Sequence, residues 1–67
     1  MDYRLKLRNL RIDSDLKQCD IAEICNVSAK EVSHWETLKR GMDASYVIQL
    51  CKFYGVTIDY IYGLDEK

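Results

Sequence analysis

Residues 18–36 read Gln18-Cys-Asp-Ile-Ala-Glu-Ile-Cys-Asn-Val-Ser-Ala-Lys-Glu-Val-Ser-His-Trp-Glu36, and this stretch decides the fold. Ile21, Ala22 and Cys25 share one face of a helix over residues 17–25, with Ile24 beside them and Asp20 and Glu23 outward. Asn26 ends that helix, because asparagine tolerates the left-handed backbone better than most residues that carry a Cβ. Ser28 follows as an N-cap with Glu31 three residues on, a capping-box pattern in which hydroxyl and carboxylate satisfy orphan backbone donors. A further helix over 29–37 then turns Val32 and Trp35 inward.

Two helices that cross this tightly make three demands. A small residue must sit at their contact, and Ala22 does. A residue at ease with positive φ must make the turn, and Asn26 does. Apolar side chains must plug the corner, and Ile21, Cys25, Val27, Val32 and Trp35 supply them. Residues 18–37 therefore carry the spacing of a helix-turn-helix.

Working outward, Tyr3, Leu7 and Leu10 recur at helical spacing and define a first helix, with Arg4, Arg8 and Arg11 as a stripe beside them. Ser14-Asp15 breaks it, and Leu16 faces back to the core. Residues 38–42 form a loop. Asp43 caps a fourth helix through Tyr54, with Val47, Ile48, Leu50 and Cys51 as its apolar side, and Gly55 ends it. Thr57 caps a last short helix, Ile58 to Tyr62, closed by Gly63.

The resemblance carried by residues 18–36, by Leu10-Arg11 and by Gly55-Val-Thr-Ile-Asp-Tyr-Ile-Tyr-Gly63 is to the Cro and phage-repressor type of helix-turn-helix protein, the XRE family. It covers residues 5 to 63. It implies an all-α, five-helix, lambda-repressor-like domain whose third helix enters the major groove of an operator. By position, Gln18 matches a glutamine that binds a backbone phosphate, with Lys17 beside it. Its place at a helix N-terminus suits an anion. Ala29, Lys30, Ser33 and His34 match the groove-facing positions of the recognition helix, Ser28 before them is a further expected DNA contact, and Lys39 and Arg40 fall in a loop that meets phosphate. Arg11 and Glu36 match an ion pair tying helix one to helix three.

The chain departs from the family pattern at four places. Leu38 stands where a glycine is usual after helix three, and Met42 where a proline is usual before helix four. Glu31 replaces a serine or threonine that can touch phosphate. Ala29 forms no hydrogen bond and offers at most a methyl to a thymine methyl. The recognition helix is lean, so a homodimer on a two-fold operator is expected, with its surface drawn from Ile58, Tyr60, Ile61, Tyr62 and Leu64, some of which must close the core.

Length and composition fit this reading. Sixty-seven residues leave room for one domain, 1–67. The absence of proline and the presence of three glycines disfavour a turn-rich β architecture. No apolar run spans a membrane and residues 1–6 hold no signal-peptide core, so a cytoplasmic protein is expected. The net charge of −1 runs against a nucleic-acid binder. However, residues 1–12 hold Arg4, Lys6, Arg8 and Arg11 against Asp2, while Asp59, Asp65 and Glu66 gather at the other end.

Cys25 and Cys51 read as core residues and Cys19 as an outward thiol. His34 with Cys19 or Cys25 fits no zinc spacing. No Ser/His/Asp set, glycine-rich phosphate loop or paired-carboxylate site stands out. Neither an enzyme nor a cofactor, metal or small-molecule ligand is expected. Leu5 and Ile12, opposite Leu7 and Leu10, are either scattered surface residues or a partner surface. Two functions stay open: a sequence-specific transcriptional regulator, most simply a repressor, and a helix-turn-helix kept as a protein-interaction module with little DNA affinity, as in an antitoxin or adaptor.

Overall fold

A computed structural model describes residues 1–64. They form five α-helices and no strand: α1 Tyr3–Asp13, α2 Gln18–Cys25, α3 Ala29–Glu36, α4 Ala44–Tyr54 and α5 Ile58–Tyr62. The expected all-α, five-helix fold is the observed one. Asp65 and Glu66, two of the three acidic residues at that end, lie outside the described residues.

Each helix starts on a side chain suited to the task. The carboxylate of Asp2 accepts from Arg4 N, and that of Asp43 from Ser45 N. The hydroxyls of Ser28 and Thr57 accept from Glu31 N and Tyr60 N. At α2 the order is reversed: Asp20, in the first turn, accepts the Lys17 amide at 2.8 Å. Each helix also ends on a residue in the left-handed conformation, namely Asp15, Asn26, Leu38, Gly55 and Gly63. At every one of these ends, the amide just beyond that residue donates back to a carbonyl five positions earlier. Examples are Leu16 N to Arg11 O at 3.1 Å and Val27 N to Ala22 O at 2.9 Å.

The core is Leu7, Ile21, Ala22, Cys25, Val32, Trp35, Val47, Leu50, Cys51 and Ile61, packed over by Tyr3, Leu10, Leu16, Ile24, Val27, Met42, Tyr46, Tyr54 and Val56. Every helix contributes. Burial pushes the thiols of Cys25 and Cys51 up, which keeps them protonated and inert. Cys19 is exposed.

Three expectations need correction here. Ile61 is 0 % exposed and closes the core, so it cannot belong to a dimer surface. A five-residue helix can bury only one face, and Ile61 is its single buried residue. Ile48 faces solvent, because Val47, Leu50 and Cys51 already fill the inward side of α4. The serine–glutamate capping box of α3 forms by half only. Ser28 Oγ accepts Glu31 N at 3.1 Å, but the Glu31 carboxylate turns away to Trp35 Nε1 and Arg40 Nη1, at 3.2 Å each.

Candidate nucleic-acid interface

The turn between α2 and α3 positions everything that follows. Asn26 adopts φ 57° and ψ 47°, and Ala22, nearly fully buried, lets the two helices close on each other. Capped by Ser28, α3 then runs with Val32 and Trp35 buried and the opposite side free. On that side Ala29, Lys30 and Thr37 are exposed, and Ser33 and His34 are half-buried. The face holds the expected Ala29, Lys30, Ser33 and His34, with Ser28 exposed at its start. Thr37 extends it and was not anticipated. Its hydroxyl donates to Ser33 O at 2.8 Å.

One end of this face meets a polar cluster built around Glu36. Arg11 grips that carboxylate with two hydrogen bonds, Nε to Oε2 at 2.7 Å and Nη2 to Oε1 at 2.9 Å, and donates its remaining nitrogen to Leu16 O at 2.8 Å. Glu36 holds Arg11 firmly charged, its pKa raised above the ordinary value by that hydrogen-bonded contact. Gln18 Nε2 donates to Glu36 Oε1 at 3.0 Å, and Arg8 Nε stands 3.9 Å from the same oxygen. The Glu36 side chain is 8 % exposed, so its charge is spent inside the protein. Beside the pair, burial lifts the Tyr54 hydroxyl to about 12, with the Arg11 charge opposing that rise.

The structure thus gives Gln18 a partner that the sequence had not suggested. Its amide is fixed by Glu36 at the first turn of α2, next to exposed Lys17. Arg8 joins the same cluster. The stripe Arg4-Arg8-Arg11 was the available signal for it, but a stripe does not say which arginine turns toward α3.

The loop after α3 lacks the family's usual glycine and proline, and two interactions from α1 set it instead. Leu38 takes φ 63° outright, with Lys39 N and Arg40 N donating to His34 O at 2.8 and 3.2 Å. The amide of Met42, which a proline would lack, donates to the Tyr3 hydroxyl at 2.9 Å. Arg4 Nη1 donates to Arg40 O at 2.8 Å. Lys39 and Arg40 are both exposed on this anchored loop, with Arg40 Nη1 also 3.2 Å from Glu31 Oε1.

Two short helices in this crossing, a left-handed turn residue, and an arginine–glutamate clamp from α1 to the end of α3 define the architecture. A comparison with protein families matches residues 2–60 to the helix-turn-helix domain. The chain belongs to the helix-turn-helix family. It is of the XRE type, as residues 18–36 imply. Among solved structures, the chain is similar to a transcriptional regulator from Listeria innocua, with TM-score 0.88 and 24 % identity over 98 % of this chain. The likeness is one of fold. The helix-turn-helix chain spans 62 % of that regulator's length. A search of curated proteins gives no match.

Among the described residues of this helix-turn-helix protein, no helix is long and apolar enough to cross a membrane. No group of three or more histidine, cysteine, aspartate or glutamate side chains gathers as a metal site among them either.

Proposed function

We propose that this helix-turn-helix chain is a sequence-specific DNA-binding transcriptional regulator, acting as a repressor in the cytoplasm, that reads the major groove with α3. One observation carries the reading: both carboxylates of α3 are withdrawn from its outer face. Glu36 is bound by Arg11 and Gln18, and Glu31 by Trp35 and Arg40. That leaves Lys30 as the charge on the face, flanked by Lys17 and Gln18 at one side and Lys39 and Arg40 at the other. A chain of net charge −1 can thereby present a locally positive surface to phosphate.

In this reading Lys17, Gln18, Ser28, Lys39 and Arg40 contact the backbone, Ala29, Lys30 and His34 face base edges, and Ser33 can reach either a phosphate or a base. One domain, 1–67, acts as a homodimer on a palindromic operator with half-sites about 34 Å apart. Ile58, Tyr60, Tyr62 and Leu64 are exposed near the C-terminal end and form the dimer surface. Fluorescence anisotropy against duplex DNA across a salt series tests the reading. Affinity should fall steeply as salt rises, because each phosphate contact releases counterions. A salt-independent or absent response favours a protein-interaction module instead, the reading that the negative net charge supports.

A further inference from the structure

His34 carries an asymmetry that bears on which bases α3 can read. Its Nδ1 is buried and has no hydrogen-bond partner in the protein. A buried N–H left without an acceptor is rarer in folded proteins than a buried acceptor left unused. Of the two neutral tautomers, the one with the proton on Nδ1 is therefore disfavoured. The proton sits on Nε2, and the ring presents a donor at its outer edge.

The rest of the face points the same way. Lys30 has three donors and no acceptor. Ala29 has neither. Glu31, whose carboxylate could accept from the amino group of cytosine, has one oxygen bound to Trp35 Nε1 and the other to Arg40 Nη1. Ser33, with a hydroxyl that both gives and accepts, is short. The two side chains with reach, Lys30 and His34, carry donors only.

In the major groove guanine shows two acceptors, O6 and N7. Thymine shows a single acceptor, O4, beside its methyl, adenine pairs its N7 with an amino donor, and cytosine shows an amino donor, so guanine alone offers two acceptors to a side chain that only donates. We propose that the half-site read by this protein places guanine opposite both Lys30 and His34, and that His34 reads it through Nε2–H. This rests on the DNA-binding reading above and adds the chemical class of base to it.

The test has two arms. The chain has a single histidine, so long-range proton–nitrogen correlation in the free protein assigns its ring directly. At a pH where the ring is neutral, the proton is expected on Nε2. A proton on Nδ1 overturns the proposal whether or not DNA binds.

The second arm selects bound duplexes from a random pool and then replaces the guanines of the preferred half-site, one at a time, with 7-deazaguanine. Guanine is expected at two half-site positions. Loss of N7 opposite His34 should weaken binding about five- to tenfold, the worth of one hydrogen bond. In His34→Phe, checked for an unchanged fold by circular dichroism, that substitution should make no further difference. Selected half-sites without guanine, or 7-deazaguanine binding as well as guanine at every position, overturn the proposal. Failure to bind any duplex at low salt removes the DNA-binding reading itself, and this inference with it.

Discussion

Leu38 holds a backbone conformation that a leucine adopts at a cost of roughly 1–2 kcal/mol. It does so because α3 must end where the loop turns toward α1, and the amides of Leu38 and Lys39 are needed to close the last carbonyls. Leu38→Gly is expected to raise stability by about 0.5–1 kcal/mol, the relief being partly offset by the greater freedom of glycine in the unfolded chain. Leu38→Val should lower it, since a β-branched residue is worse still at positive φ. Urea midpoints of the two variants check both signs. Asp2 offers a second test. Its hydrogen bonds to the Arg4 side chain and then to the Arg4 amide pull its pKa from 3.8 to about 2. A depressed folded-state value means that the contribution is full above pH 4 and fades as pH falls toward 2. Acid melts of Asp2→Asn should lack that component of the wild-type loss.

The arginine–glutamate clamp joins α1 to α3, and its removal tests how much the recognition helix depends on it. The Arg11 side chain is 13 % exposed and that of Glu36 8 %, so truncating either leaves a largely buried charge alone. Glu36→Ala is expected to cost roughly 3 kcal/mol, the lower end for breaking a buried pair. For a domain of this size that is a fall in melting temperature of roughly 12–24 °C. Arg11→Ala should cost a similar amount, and the double variant clearly less than the two losses combined. Additive losses would show that the two do not act together.

The clamp also marks how far sequence reasoning reaches. Five helices could be read from apolar spacing and from caps, because those are local patterns. Arg11 with Glu36 came only through family resemblance. The attachment of Gln18 and Arg8 to the same carboxylate, and the capture of Glu31 by Trp35 and Arg40, are side-chain choices made in three dimensions. A Ser28-x-x-Glu31 spacing permits the reciprocal cap, but nothing in it announces a competing indole four residues away. The inward residue of α5 stays open in the sequence for a related reason. In a helix of five residues with apolar side chains at most positions, periodicity cannot pick the inward one.

On the proposed reading, the whole molecule separates holding DNA from reading it. Lys39→Ala should weaken binding to preferred and scrambled duplexes alike and flatten the salt slope by about one unit. Lys30→Ala should cost about 1–3 kcal/mol on the preferred site and much less on scrambled DNA. Titration of each variant against both duplexes over a salt series measures the two effects together. An unchanged affinity ratio for Lys30→Ala would remove α3 as the reader. The dimer is tested at the same scale: sedimentation should show pairing on a palindromic duplex, and Tyr60→Glu should abolish it while leaving Ile61 and the fold intact. Lastly, the loop that carries Lys39 and Arg40 hangs from the first turn of α1, through the Tyr3 hydroxyl and the Arg4 guanidinium. Trimming residues 1–4, or fusing a bulky tag that pulls Asp2 off its cap, would loosen a proposed DNA contact 36 positions along the chain while sparing the turn at Asn26. The amino terminus of this protein is not a neutral handle for purification or labelling.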